Sequence, residues 1–451
     1  MADPIDPLLY GKYFIAMKNL LVVVLLCAFC ASCAYRRSVL QASHTTQVER
    51  TKFKRDLIKT TIEQGLAEEL TAKNESKWEG SFWGMSLTRY KSENTTLAIS
   101  RAFAQFDERS VTFQRALLEV VYTIYPDNFV SEVERVIKTT KNEKLFAMAA
   151  VHYNRATKWR DVTRVCDQMW QSFPLHAAHP ILRTLDYELQ EKITGKVAAI
   201  PPVVDLLSAP VEKSKPVIFS LQRKDRRFPG LAVVRDVDGK FVKVDRNKYF
   251  AITQLALAAS NLPGYLTDGN TPQGIHSVQG LAFVKNKFIG PTETIQLVLP
   301  HEAPPQAYFH DATKAGEQWT PAMYASILPA SWKNFEPIYT AYFAGEAGRS
   351  EIISHGTTID PSFYANETCY PISPSMGCLT ASELWSGKTG ANVKSDQQKL
   401  VDVLRKTRFE KGYFVVVELN DEARSVSLDE VVPLIRQAEK LFFVRSIPAT
   451  K

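Results

Sequence analysis

Residues 216–244 read PVIFSLQRKDRRFPGLAVVRDVDGKFVKV. Within them, Val217-Ile218-Phe219, Leu231-Ala232-Val233-Val234 and Phe241-Val242-Lys243-Val244 are short runs of β-branched and aromatic residues between turn formers, the pattern of strands rather than helices. Asp238-Gly239 is a hairpin turn signal between the second and third run. Thr294 to Leu299 (TIQLVL) continues the texture, and few helical stripes intervene before residue 390. The stretch therefore opens a mostly β domain over 217–390. Beyond it the pattern alternates: a helix around Asp396–Arg405, a strand at Gly412–Leu419 (GYFVVVEL) and a helix at Leu428–Leu441, whose start suits Ser427 and Asp429-Glu430. Residues 391–451 are thus expected to form a small α/β extension.

Upstream the period changes. Leu57, Ile58, Ile62, Leu66 and Leu70 recur at helical spacing, as do Phe113, Leu117, Val120, Val121 and Ile124, with Pro126 ending the second run. Ser131-x-x-Glu134 matches a capping box ahead of Val133, Val136 and Ile137. Leu145, Met148, Ala149 and His152 form a shorter stripe. Residues 51–195 therefore read as a helical domain of short helices. Residues 196–216, with Pro201, Pro202, Pro210 and Pro216, read as a linker. The expected fold class is α+β and multidomain. His152, His176 and His179 read as helix surface or satisfied core, and Trp78, Trp83, Trp159 and Trp170 as core.

The chain has 451 residues, 45% hydrophobic and 23% charged, which is ordinary globular composition and excludes a mostly disordered chain. Its net charge of +7 is spread thinly, and no basic run carries interleaved aromatics, so no nucleic-acid partner is expected. Residues 1–16, with Asp3 and Asp6, fit no targeting segment. Leu20 to Phe29 (LLVVVLLCAF) is a ten-residue apolar run behind Lys18. It is short of the roughly 20 residues a spanning helix needs and suits the core of a signal segment. Cys30-Ala31-Ser32-Cys33 follows and resembles a bacterial lipoprotein signal, which implies lipidation of Cys33, with 1–33 a signal segment and 34–50 a tether. An ordinary secretory signal and a retained anchor are the alternatives. All three place the body outside the cytoplasm, and the first adds the membrane as a partner. Beyond the signal only Cys166, Cys369 and Cys378 remain, too few for a disulfide scaffold. Cys369 and Cys378, nine apart, are the pair an oxidising compartment would offer.

One constellation carries chemistry. Ser354-His355-Gly356-Thr357-Thr358 follows Ile352-Ile353, and Cys378 lies 23 residues after His355 in Ser375-Met376-Gly377-Cys378-Leu379-Thr380. Free Cys titrates near pH 8.5, so a thiol needs a base or an electropositive setting to act as a nucleophile near neutrality. Imidazole is the usual partner. Gly377 lets the backbone approach a substrate, and successive N–H groups around Gly377 and Cys378 suit a developing oxyanion. These residue types are what acyl transfer through a thioester requires.

With Thr271-Pro272-Gln273-Gly274 upstream, the segment 225–390 resembles the L,D-transpeptidase family with its YkuD-type catalytic domain. That family shows Thr-Pro-x-Gly, then His-Gly, then Ser-His-Gly-Cys and an aliphatic residue. The resemblance implies Cys378 as nucleophile, His355 as base, Gly377 in the oxyanion loop, and a small mostly β domain presenting them in one groove. It implies peptidoglycan stem peptides as substrate, in the periplasm or cell wall, and no metal or other cofactor. Ser375, Ser354, Gly356 and His276 are accessory candidates, Ser354 and Ser375 for the third, orienting role. The chain departs from the pattern at Met376, which stands for the second His, and at Thr380, where an Arg or Asn is often found. Tyr364, Tyr370 and Trp385 belong either to a substrate groove or to the core.

Other classes fit less well. His301-Glu302 lacks a second His four residues on, so a zinc hydrolase is not expected. Papain-like enzymes place Cys before His, the reverse of this chain, and a sortase-like order would need an Arg nearer than Arg405. The rival is a lipid-anchored, non-catalytic wall-binding or scaffold protein, with the helical domain as the module that meets a protein partner.

Overall fold

The computed structural model describes residues 40–211 and 215–446. The signal segment, Cys33 and most of the tether lie outside them. From Ala42 onward the described residues belong to one unit. No described helix is long and apolar enough to cross a membrane.

The stripes become a packed helical half. Leu57, Ile62, Leu66 and Leu70 are buried, Leu57 and Ile62 on a wide-turn helix at Leu57–Gln64. Helix Val111–Ile124 buries Phe113, Leu117, Val120 and Val121 completely and stops before Pro126, each side chain contributing about 1.5–3 kcal/mol. Helix Glu143–Ala156 is buried at every position from Leu145 to Asn154, so it is the central helix rather than one with a single apolar stripe. His152 is buried there, its Nε2 paired with Asn128 O at 2.9 Å. Two local readings are corrected. Helix Val130–Thr139 is capped by Phe129 in a left-handed conformation, with no side-chain cap from Ser131; the Ser131 hydroxyl turns to Glu132 instead. Trp170 is 43% exposed and donates to Asp186 Oδ1 at 3.1 Å, because it falls on the polar face of helix Val162–Ser172.

The second half is an eight-stranded closed barrel. Its strands are β1 (Val217–Arg223), β2 (Gly230–Arg235), β3 (Ile252–Leu255), β4 (Gly274–Ala282), β5 (Thr294–Val298), β6 (Ile353–His355) and β7 (Leu379–Ala381). After a separate two-stranded ribbon, β8 (Glu383–Trp385) with β9 (Asn392–Ser395), comes β10 (Gly412–Asn420). The barrel order is β1-β10-β4-β5-β6-β7-β3-β2. Mixed α+β architecture, helical first and β-rich second, is therefore present. β1 and β2 are buried at every position, which explains their continuous apolar runs in place of strict alternation.

The boundaries read from composition are crossed by the packing. β10 is no appendage: it closes the barrel, parallel to β1 with Val217 opposite Tyr413 and antiparallel to β4. The Pro-rich stretch read as a linker holds a helix, Val203–Ser208, whose Val204, Leu206 and Leu207 enter the core beside Val431 and Ile435 of helix Leu428–Ser446. The tether region starts a helix at Gln47, and Ala42 and Gln47 donate backbone hydrogen bonds to Gly390 and Gly387 on the β8–β9 turn. The helical core extends into the β half. It takes in Leu257, Leu262, Tyr265 and Leu266 from the β3–β4 connection and Phe363, Tyr364, Cys369 and Ile372 from the β6–β7 connection. These two connections lead to the chemically interesting residues.

Candidate active site

β6 and β7 are parallel neighbours, with Ser354 opposite Leu379 and His355 opposite Thr380. This register sets Cys378, just before β7, level with Ile353. Its Sγ accepts from the Ile353 backbone and lies 3.6 Å from Glu351 O. Cys378 is half-buried and reduced, as Cys369 is buried and reduced. Desolvation pushes the Cys378 thiol up; Ile353 and the Arg349 guanidinium oppose that, and Glu351 and Asp268 add to it.

His355 is buried, and desolvation holds its imidazole down at about 4. It is neutral at pH 7, the form a base requires. Its Nδ1 donates to Gly356 O, which fixes Nε2 as the free lone pair. The orienting partner is thus a backbone carbonyl. Ser354, one residue before, faces the opposite side of the strand; its hydroxyl accepts from Gln254 Nε2 at 3.1 Å and donates to Gln397 Oε1 at 3.4 Å. Among the described residues no hydrogen bond joins His355 to Cys378 Sγ.

Gly356 rests on a carboxyl. A Cβ built on it would overlap Glu383 Cδ and both carboxyl oxygens. Glu383 is buried, and its Oε1 accepts from Thr292 Oγ1 and Ser395 Oγ, both at 2.6 Å. Burial raises it to about 7, and the Thr357 backbone also bonds to it. Glu383 therefore anchors the Gly356–Thr357 peptide whose carbonyl orients His355.

The turn before Cys378 is held from three sides. Ser375 Oγ accepts from Gly377 N at 3.1 Å and donates to Cys378 O at 2.8 Å. Thr271 Oγ1, from the Thr-Pro-x-Gly segment, donates to Gly377 O at 2.9 Å, so two segments 106 residues apart are joined directly. Gly377 has φ +112°, and a Cβ on it would strike the Arg349 guanidinium and Gly269 O; no other residue suits the position. Met376 is 50% exposed. His276 is fully buried on β4, lowered to about 4 by burial, and lies near Arg349.

The remaining candidates sit elsewhere. Tyr364 is buried in the helical core under Arg89, and Trp385 is buried with its Nε1 on Thr357 O at 2.9 Å; Tyr370 is exposed. Among the described residues no cluster of three or more His, Cys, Asp or Glu side chains is placed to hold a metal. A cleft of about 440 Å3, lined by Glu188, Lys224, Arg226, Thr271, Gln273 and Glu418 among others, does not include Cys378 or His355. Residues absent from the sequence reading of the site are Arg349, Glu351, Asp268 and Glu383. Each is a lone charge in a turn or strand, and no spacing rule marks it.

No family model, no curated protein and no solved structure matches the chain.

Proposed function

We propose that the protein is an L,D-transpeptidase-like cysteine acyltransferase acting on peptidoglycan stem peptides. The observation that carries the reading is the meeting of three segments at one turn. Cys378 follows Gly377 at the head of β7, β6 with His355 is the neighbouring strand, and Thr271 of Thr-Pro-x-Gly bonds to Gly377 O. In this mechanism His355 Nε2 takes the thiol proton as Sγ adds to a stem-peptide carbonyl carbon. The developing oxyanion would be met at the backbone beside Cys378, the Gly377 N–H being already held by Ser375 Oγ at 3.1 Å. The C–N bond to the terminal D-residue breaks, and its amine leaves with the proton. An amine of a second stem then adds to the thioester, gives its proton to His355, and Sγ departs and is reprotonated. A lipid anchor at Cys33 and export to the periplasm or cell wall agree with that substrate and belong to the same proposal, as does a protein partner for the helical half.

One observation favours the second reading, a non-catalytic wall-binding or scaffold protein: Sγ engages Glu351 O and the Ile353 backbone rather than the imidazole. Intact-mass measurement after incubation with a carbapenem separates the two. A one-to-one adduct that is lost in Cys378→Ala is the expected result. Folded protein with reduced Cys378 and no adduct would leave the scaffold reading.

A further inference from the structure

Arg349 occupies the turn between helix Thr340–Glu346 and β6, where its backbone N–H returns to Ala344 O at 2.9 Å. The side chain is 8% exposed. Nη1 donates to Gly264 O and to Asn270 O, the latter at 2.8 Å, and Nη2 donates to Gly269 O. All three acceptors are neutral carbonyls of the β3–β4 connection. Among the described residues no carboxylate forms an ion pair with Arg349. The nearest acid on that connection, Asp268, is bound by Arg115 at 2.7 Å. A buried cation without a carboxylate is costly. Burial lowers this guanidinium to about 10, so it stays charged at pH 7. Its position says where that charge acts: Nη2 lies directly under Gly377, so close that a Cβ there would overlap it, and Cζ would be 3.4 Å away. The next residue is Cys378.

We infer that Arg349 is a positioning residue whose buried, carboxylate-free guanidinium holds the thiolate of Cys378 at the Gly377 turn. Thr380, where the resembling motif often carries an Arg or Asn, supplies no charge; its hydroxyl donates to Ser373 O at 3.1 Å. The cation arrives instead from the turn ahead of β6. The other groups that face this thiol or this guanidinium are Glu351, Asp268 with its partners Arg115 and Glu119, Lys144 near Asp268, neutral His355 on the adjacent strand, and His276 near Arg349. Glu351 and Asp268 oppose the thiolate, so Arg349 is the cation that offsets them.

The inference rests on the acyl-transfer reading only for its use in catalysis; the thiol itself reports it. The test is the pH dependence of iodoacetamide alkylation at Cys378 in the full chain, followed by intact mass. An opposite charge within roughly 4–6 Å moves a titration by roughly 1–3 units. Arg349→Gln is therefore expected to raise the alkylation midpoint by about one unit or more and to slow the reaction at pH 7 about tenfold, whereas Arg349→Lys stays near the wild type. A folded Arg349→Gln with an unchanged midpoint would overturn the inference, since a purely structural role moves stability and not the profile. If Arg349→Gln fails to fold, the partner position is probed instead. Cys378→Asp is expected to melt higher than Cys378→Asn at pH 7, with the gap closing in acid; a lower melting point for Cys378→Asp would overturn the inference. The carbapenem experiment fails independently: a shifted midpoint without an adduct removes acyl transfer and keeps Arg349, and an adduct without a shift does the reverse.

Discussion

Gly356 and Glu383 form a pair whose coupling is measurable. Gly356→Ala puts a methyl group where the Glu383 carboxyl now lies. Either the carboxyl moves or the Gly356–Thr357 peptide does. Overpacking of this kind costs about 1–3 kcal/mol. If the carboxyl moves, its bonds from Thr292 and Ser395 are lost, and each hydroxyl left buried adds about 1–2 kcal/mol. The single variant is thus expected to lose about 3–7 kcal/mol. Glu383→Ala loses the same two bonds but removes the obstacle, at about 2–4 kcal/mol. In the double variant the overlap is gone and the hydroxyls are lost only once, so it should cost about what Glu383→Ala costs alone. The cycle should show about 3–7 kcal/mol less destabilisation than the sum of the singles, far beyond the roughly 0.5 kcal/mol scatter of independent sites. Urea unfolding of the full chain at fixed pH, compared at equal slope, measures it. Additive singles would refute the placement of the carboxyl beneath Gly356. The same displacement moves the carbonyl that orients His355, so Gly356→Ala is also expected to slow Cys378 alkylation at pH 7.

Two further expectations concern titration. His152, His276 and His355 are each held at about 4 by burial. A His with a depressed folded value contributes stability that is present above its unfolded value of 6.5 and lost as pH falls through 4. Each is worth up to about 3 kcal/mol, together comparable to a domain's whole stability. Melting temperature should therefore fall steeply between pH 6.5 and 4; a flat profile would contradict the burial of these rings. Glu383, raised to about 7, acts in the opposite sense, stabilising the fold as pH drops from 7 toward 4.5, so Glu383→Gln should make the acid loss steeper. Finally, burial pushes Cys166 up to about 12 and Cys369 to about 11. Of Cys166, Cys369 and Cys378, native protein at pH 7.5 should be alkylated at half-buried Cys378 alone, and at all three only after unfolding, as read by peptide mapping; early labelling of Cys369 would contradict its place in the helical core.

What was legible in the sequence was what local pattern encodes. The runs at 217–223 and 230–235 are strands because β-branched residues between turn formers have little else to become. Pro126 ends its helix because the residue before Pro avoids the helical region. His355, Cys378 and Thr271 were legible because each carries a chemically distinctive side chain beside a Gly or Pro. The run at 412–419 was readable as a strand, yet nothing local says that it pairs with Val217–Arg223 and closes the barrel. Such pairing is decided by the register of distant backbones. Trp170 was misplaced for a related reason: a helix of eleven residues has room for a large ring on either face, and Asp186, on another helix, chose which. Arg349 and Glu383 were invisible because their roles are made by what surrounds them, three carbonyls of one connection and two hydroxyls from segments far apart in the chain.

The helical half bears on the candidate site through the connections it grips. Arg89 Nη1 donates to Ala259 O at 2.8 Å, Lys144 Nζ to Thr267 Oγ1 at 2.9 Å, and Arg115 holds Asp268 at 2.7 Å. All three acceptors lie on the connection whose carbonyls bind Arg349 and whose Thr271 bonds to Gly377. Glu119 shares Arg115 with Asp268, and burial together with the Asp268 charge pushes its carboxyl up, so Arg115 is the cation that balances this acidic pair. That balance matters at Cys378, where the Asp268 charge opposes the thiolate and the Arg349 charge favours it. Removing Arg115 would leave Lys144 as the cation beside Asp268, weakening that balance. The helices thus hold the connection that shapes the turn and pair the acid on it that opposes the thiolate, which is a physical reason for one core to run through both halves.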